Sequence, residues 1–335
     1  MAKLLIGIAH GPDEIPEAQT RARGARRKTD VQEITDVLAR AGHETFPVIV
    51  DGTQECLKRL ASAKADLLFN LVESFGDDDT KEPYVAAYYE LLGLRYTGSG
   101  PRGLALAMDK AVAKKVLAFH GVQTPRFATV FQGRLDWAHD IDFPVIVKPT
   151  REDGSIGIGF RALASSIKEL MERIDELHAD FDHPVLIEQY IEGREIYVGV
   201  IGNARPEAFP LVELDLSHLP EGTPRIAGTE VKWEERSQAY RGSKVLVPDD
   251  LPADVVQAVQ QAALTSFQAL HLRDYARFDF RITPKNKVYL IEANPNPYLY
   301  SGSEFIKGAR ASGRTHPQTI LEIVDLAQAR YSSPG

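Results

Sequence analysis

The stretch from Ala276 to Asn294 limits what this chain can fold into more than any other. Two apolar runs, Phe278 to Ile282 and Val288 to Ile291, flank the turn Thr283-Pro-Lys-Asn-Lys287, which predicts a β-hairpin. Side chains alternate across a strand, so Arg277, Asp279 and Arg281 share one face and Phe278, Phe280 and Ile282 the other. On the returning strand Glu292 and Asn294 also share a face, so Asp279, Glu292 and Asn294 are expected to converge. Three hard oxygen donors of this kind suit Mg²⁺, which completes its shell with water and a nucleotide's phosphates, and Mn²⁺ as a substitute. The alternative is a solvated face with ordinary ion pairs. Favouring metal, Glu292 follows directly on the apolar run Tyr289-Leu-Ile291, where an unpaired carboxylate is costly.

The chain is long enough, at 335 residues, for two or three lobes around large cores. Hydrophobic residues at 44% and charged residues at 26% are the proportions of an ordinary globular protein, which argues against disorder. A formal net charge of -8 argues against nucleic acid as the main partner, and the basic cluster Arg21 to Lys28 reads as a loop. No apolar run is long enough to span a bilayer, and the first residues lead straight into a strand, so a cytoplasmic location without a membrane partner is expected. The single Cys56 allows no internal disulfide, and its helical surroundings suggest packing.

Taken in order, Leu4 to Ala9 reads as a buried strand. Asp30 and Glu33 read as a capping box before an apolar stripe of Val31, Ile34, Val37, Leu38 and Ala41, stopped by Gly42. Strands at Phe46 to Val50 and Leu67 to Val72 bracket a helix over Gln54 to Ala63, and this βαβαβ alternation predicts a small parallel sheet. One helix is expected from Leu104 to Gly121 with Val112, Val116, Leu117 and Phe119 as its apolar side. Strands follow at Phe127 to Phe131 and Val145 to Lys148. Ser166 and Glu169 cap a helix carrying Ile167, Leu170, Ile174 and Leu177, ahead of strands at Val185 to Tyr190 and Glu195 to Ile201. A loop-rich excursion from Leu216 to Val247 precedes a helix from Pro252 to Leu272, the hairpin, and a last helix near Pro317. The fold class is α/β in three domains: 1–103 as a Rossmann-like parallel-sheet lobe, 104–186 as a central small lobe, and 187–335 as a C-terminal lobe with the metal site.

Lys148 ends a predicted buried strand and is followed by Thr-Arg-Glu-Asp-Gly154-Ser-Ile-Gly157-Ile-Gly159. Glycines allow close backbone approach, so amides around Ser155 and Ile156 can hold phosphate oxygens while Lys148 supplies a cation. A glycine-rich loop by itself is more often a plain turn; its coupling to Lys148 is what favours phosphate. Lys110 reads either as a second phosphate cation or as a solvated helix lysine. Between Glu188 and Glu195 a strand runs into a turn flanked by acids, where the backbone of Gln189, Tyr190 and Ile191 can read an adenine edge and Glu195 can accept ribose hydroxyls. A polar edge hairpin is the alternative.

Met108-Asp-Lys110, Val147-Lys148-Pro149, the glycine-rich loop, Glu188 to Glu195, Ala276-Arg-Phe-Asp279 and Ile291-Glu292-Ala-Asn294 together resemble the ATP-grasp enzymes, specifically the D-alanine–D-alanine ligase family. The resemblance spans about Asn70 to Asn294. It implies an ATP-grasp fold and an ATP-dependent carboxylate–amine ligase that forms a dipeptide or amide through an acyl phosphate, releasing ADP and phosphate. It also implies roles: Lys110 and Lys148 on the ATP phosphates, Glu188 and the backbone after it on adenine, Glu195 on ribose, and Asp279, Glu292 and Asn294 on two Mg²⁺. Arg277 would stabilise the oxyanion of the tetrahedral intermediate, and Lys232 would reach the γ-phosphate from a mobile loop. Small-molecule substrates and a homodimer are further implications. The substrate side departs from the pattern: Ser303 is followed by Glu304 where the family has an apolar residue, Trp233 replaces a lid tyrosine, Gly154 replaces a serine, and the first lobe reads Asn70-Leu-Val-Glu-Ser-Phe-Gly-Asp-Asp-Asp. Glu304 should repel a free carboxylate. A small-molecule kinase and a non-catalytic nucleotide-binding module are the alternatives.

Overall fold

The computed structural model describes residues 3–12, 30–131, 133–137, 142–152, 157–232, 234 and 237–332. Ser155, Ile156 and Trp233, with Gly154 and the Arg21 to Lys28 cluster, lie outside the described residues. Strand β1 (Leu5–His10) pairs in parallel with β2 (Glu44–Ile49) on one side and β3 (Leu67–Asn70) on the other, the sheet that the βαβαβ alternation predicts. Its crossovers are α1 (Asp30–Arg40) and α2 (Gln54–Ser62), the second capped by the Thr53 hydroxyl accepting from Cys56 N. Asp30 and Glu33, the expected capping pair, both reach the backbone at Leu299 and Ser301. Asp30 is the first residue of α1, its carboxylate accepts from Leu299 N at 2.8 Å, and that of Glu33 accepts from Ser301 N at 2.6 Å. Amides of an inward-facing loop need acceptors, and these two acids supply them.

Of the two helices that follow the first sheet, α3 (Glu82–Leu91) and α4 (Pro101–Met108), the first is not foreseen in the sequence and the second begins before the expected Leu104. Periodicity hides α3 because apolar residues occupy both its buried face (Val85, Ala86, Tyr89) and its exposed one (Tyr84, Leu91). The single helix expected from Leu104 to Gly121 is broken. Asp109, extended at φ -86° and ψ 97°, ends α4 and caps α5 (Lys110–Phe119) by accepting from Val112 N. The expected apolar face is also wrong in part: Val112 is 37% and Phe119 87% exposed, while Lys110, Lys114 and Leu117 turn inward.

The second sheet runs in the order β5-β4-β8-β6-β7, built from β4 (Phe127–Phe131), β5 (Arg134–Trp137), β6 (Val145–Pro149), β7 (Leu163–Ala164) and β8 (Val185–Gln189). Helix α6 (Ile167–Asp180) packs on it through Ile174 and Leu177; Ile167 is exposed. The third sheet runs β12-β11-β9-β13-β14, with β10 beside β9. It comprises β9 (Arg194–Gly202), β10 (Glu207–Ala208), β11 (Val212–Asp215), β12 (Lys244–Leu246), β13 (Asp274–Ile282) and β14 (Val288–Asn294). The excursion before β12 carries α7 (Thr229–Lys232) and α8 (Gln238–Gly242), and α9 (Ala253–Ala269) backs the sheet. After the hairpin come α10 (Glu304–Ala311) and α11 (His316–Ser332).

Packing follows the sheets more closely than the chain order. Leu117 of α5 shares a core with Val198, Phe278 and Phe280 of the third sheet. Ile6 and Ile8 of the first sheet share theirs with Phe305, Ile306 and Ile320 from the last two helices. Position 186 falls inside β8. Among the described residues no helix is long and apolar enough to cross a membrane.

Candidate active site

Alternation along β8 and β6 sets the nucleotide side of the site. Lys148 is the last residue but one of β6, with its ammonium 2.8 Å from Glu188 Oε2, and Lys114 on α5 approaches Glu188 Oε1 at 3.0 Å. All three side chains are buried. Burial alone would raise the Glu188 carboxyl, but Lys114 and Lys148 outweigh it and hold it below its ordinary range. Burial has the upper hand at Lys114, where it pulls the ammonium down to about 8 against the pull of Glu188. Lys114 also donates to the Ile291 carbonyl at 2.8 Å, tying α5 to β14. Glu195, at the start of β9, is ion-paired with Arg281 at 2.5 Å. That approach depends on Gly193, at φ 156°, where a Cβ would sit 2.1 Å from the Ile282 carbonyl.

On the hairpin, Asp279 stands opposite Glu292 and Arg277 opposite Asn294, with a bulge directly after Asp279. The bulge is what sets Glu292 there: continued without it, the pairing of Phe280 with Leu290 would have put Ile291 opposite Asp279. Arg277 donates twice to Asp279, at 2.8 and 3.0 Å, and Lys110 lies 2.7 Å from Glu292 Oε1. Burial would raise Glu292, yet Lys110, followed by Lys148, brings it down to about 2. Among the described residues no three His, Cys, Asp or Glu side chains cluster for a metal; the candidate set is two carboxylates with Asn294 as the third oxygen. Such a donor set fits Mg²⁺, which is content with few protein oxygens and completes its shell from phosphates and water.

Two adjoining cavities open here. The narrower is lined by Lys148, Glu188 to Ile191, Glu195 and Asp279. The wider, about 390 Å³, is lined by Tyr197, Arg277, Asn294 and Glu304. Lys232 and Glu292 stand in both walls. Lys232 ends α7, and the chain of which it is part touches the loop after β6: Thr229 N and Oγ1 donate to the Ile158 carbonyl, and Phe160 N donates to Glu230. Ser303 is buried, and its hydroxyl caps α10 by accepting from Ile306 N at 3.3 Å. Glu304, the next residue, lies 3.6 Å from Arg277 Nη1.

Two residues of the site are missed in the sequence. Lys114 lies one helical turn beyond Lys110, and that i,i+4 spacing was the signal. Tyr197 lies two residues after Glu195 on the same strand face, so alternation finds it. Its ring sits 5.1 Å from the Arg277 guanidinium and 5.8 Å from the Lys232 ammonium, and its buried hydroxyl has no hydrogen-bond partner among the described residues. Burial, then Glu195 and Asp279, pushes that hydroxyl well above the ordinary tyrosine range.

A parallel-sheet lobe followed by two sheets that face each other across lysines, an acidic hairpin and a strap is the architecture of the ATP-grasp carboxylate–amine ligases. The family model described as D-ala D-ala ligase C-terminus matches residues 116–325. The D-alanine–D-alanine ligase of Bordetella petrii is 33% identical over 86% of this chain and 83% of its own length. An uncharacterized protein, y4sG, of Sinorhizobium fredii is 29% identical over 90% of this chain and 88% of its own. In fold, the chain is similar to the D-alanine–D-alanine ligase of Bacillus anthracis complexed with ATP (TM-score 0.75, 21% identity, 98% of both chains). It is similar also to the VanG D-Ala:D-Ser ligase of Enterococcus faecalis (TM-score 0.72, 19% identity, 97% of this chain and 100% of the other). The chain belongs to the D-alanine–D-alanine ligase family, and with it to the ATP-dependent ligases that form C–N bonds.

Proposed function

We propose that this ligase joins a small carboxylate donor to an amine through an acyl phosphate, releasing ADP and phosphate, on a three-lobed frame divided near 103 and 186. A donor carboxylate oxygen attacks the γ-phosphorus and ADP leaves; the acceptor nitrogen then attacks the acyl carbon, the bond to phosphate breaks, and the nitrogen loses a proton. What supports this is the sharing of Lys232 and Glu292 between the two cavities, which sets the residues expected around the nucleotide directly beside those expected around the substrates.

In this reading Lys110, Lys148 and Lys232 draw the triphosphate toward a donor that it would otherwise repel. The segment Glu188 to Ile191 holds adenine, with Glu188 itself acting from beneath through its two lysines, and Glu195 with Arg281 borders the ribose. Mg²⁺ held by Asp279, Glu292 and Asn294 would supply charge to the phosphates. Arg277 faces the oxyanion. The strap carrying Lys232 excludes water from the acyl phosphate. A homodimer belongs to the same proposal, and light scattering reads it directly.

The test is a phosphate-release screen with Mg²⁺, ATP and pairs drawn from D- and L-amino acids and simple amines, with product masses. The expected products are ADP, phosphate and an amide. AMP with pyrophosphate, or a stable phosphate ester without an amide, overturns the assignment of an acyl-phosphate route.

A further inference from the structure

Among the described residues, two buried side-chain atoms on residues lining the wider cavity have no hydrogen-bond partner, Asn294 Nδ2 and the Tyr197 hydroxyl. Asn294 already has its oxygen in the candidate metal set. The acyl-phosphate route leaves Tyr197 without a role. The third sheet fixes its position, in register with Asp279 of β13 on one side and Val212 of β11 on the other. Its ring shares a core with Leu214 of β11 and with Val231 and Ala239 of the strap, and only 1% of the residue is exposed. Bulk water is thereby kept from the hydroxyl. A buried tyrosine hydroxyl ordinarily has a partner, and leaving one unsatisfied is costly, so a hydroxyl stranded at a cavity wall marks where a ligand atom completes it. The charges beside the ring say which kind of ligand. The Arg277 guanidinium lies 5.1 Å and the Lys232 ammonium 5.8 Å from the ring centroid, so a group within reach of all three is anionic. Lys232 stands in the walls of both cavities, and an anion crossing from the nucleotide side to the substrate side passes it.

We propose that Tyr197 is a further catalytic residue, whose hydroxyl donates a hydrogen bond to a non-bridging oxygen of the phosphoryl group as that group passes from ATP to the donor carboxylate, between Lys232 and Arg277. The tyrosine keeps its proton throughout. A bond forms from the donor oxygen to the γ-phosphorus, the bond to ADP breaks, and the hydroxyl stabilises charge on an oxygen that stays with the phosphorus in both. A neutral donor suits this place: it adds a third contact beside two cations without adding charge, and its ring holds its direction through packing under the strap.

The proposal rests on the ligase reading, and its test separates the two. Tyr197→Phe keeps the ring beside its two cations and removes only the oxygen. Without ligand the variant should unfold at the same temperature as wild type or higher, since the hydroxyl it loses has no partner. Calorimetric titration with Mg²⁺ and ADP should give the same affinity for both proteins. With aluminium fluoride added, a stand-in for the phosphoryl group in transit, the variant should bind at least about tenfold more weakly. On any pair that the phosphate-release screen finds, kcat should fall at least about tenfold while KM for ATP stays within about twofold. Equal affinities for the aluminium fluoride complex, an equal loss for ADP alone, or an unchanged kcat overturns the proposal. A variant that is less stable without ligand, or that fails to fold, overturns it as well, because the hydroxyl then has a structural partner. So does the absence of any tightening by aluminium fluoride in either protein. No joined product with any pair, with the aluminium fluoride difference intact, removes the amide-forming reading and keeps Tyr197 on the phosphoryl group.

Discussion

A buried carboxylate flanked by two lysines has little margin. Glu188 keeps its charge in the interior because Lys114 and Lys148 lie on either side of it at 3.0 and 2.8 Å. Removing one partner leaves an undercompensated buried charge, which typically costs about 3–5 kcal/mol, whereas removing the whole ion pair is often nearly neutral. Lys114→Met is therefore expected to lower unfolding free energy by roughly 3 kcal/mol at pH 7, and Lys114→Met with Glu188→Gln to recover most of it, measured by urea denaturation. The pH dependence carries its own sign. Lys114 falls from the ordinary 10.5 to about 8 in the folded chain, so between those values the unfolded chain binds the extra proton. Stability from this group accordingly rises with pH across that window, by at most about 1.4 kcal/mol per pH unit. The difference in unfolding free energy between wild type and the double variant should grow from pH 8 to 10; a flat or falling difference would show that Lys114 keeps its ordinary affinity for protons.

Helix α5 shows what a single sequence does and does not disclose about an element. The hairpin was legible because alternation of charged and apolar residues marks both strands, but the register of Asp279 against Glu292 comes from the bulge after Asp279, which alternation does not disclose. The same hydrophobic logic misleads on α5, whose inward face includes Lys110 and Lys114 while Val112 and Phe119 look outward. A lysine is ordinarily read as solvated, and only its remote partners Glu292 and Glu188, on strands far along the chain, make it an interior residue. Ser303, read as a substrate-side residue, is buried and caps α10 by accepting from Ile306 N, a helix start that the sequence reading did not mark. This orientation has a measurable consequence. Leu117, fully buried against the third sheet, should lose roughly 2–4 kcal/mol on Leu117→Ala through the cavity left behind. Phe119→Gln, at an exposed position, should change stability by less than about 0.5 kcal/mol. Chemical denaturation of the two variants side by side checks both, and a large loss at Phe119 would return the helix to the face that periodicity suggests.

Across the whole molecule, the cavity walls come from parts of the chain that must be held in place together. Asn296 bridges from the loop after β14 to the first lobe, donating to the Val72 carbonyl and to Glu82 at 3.1 and 3.2 Å. The deeper tie is Asp274 at the start of β13, which is fully buried. It accepts from Gly98 N at 2.8 Å, from Asn203 Nδ2 at 2.9 Å and from Arg330 Nη2 at 2.8 Å, joining the first lobe, the third sheet and α11 at one carboxylate. Arg330 also donates to the Tyr96 carbonyl at 2.8 Å, so the last helix is anchored twice to the first lobe. Asp274→Ala would strand a largely buried guanidinium and a buried amide at the same time, at a cost of about 3–5 kcal/mol. Because the donors belong to three regions, the loss should be shared: hydrogen exchange is expected to accelerate together in the Tyr96 to Gly98 segment, in α11 and at the end of β9. Acceleration confined to α11 would show that the helix merely docks on a frame that the rest of the chain holds by itself. Coordinated acceleration would mean that the cavity wall at Glu82 and the β13–β14 hairpin keep their spacing through one shared interior charge.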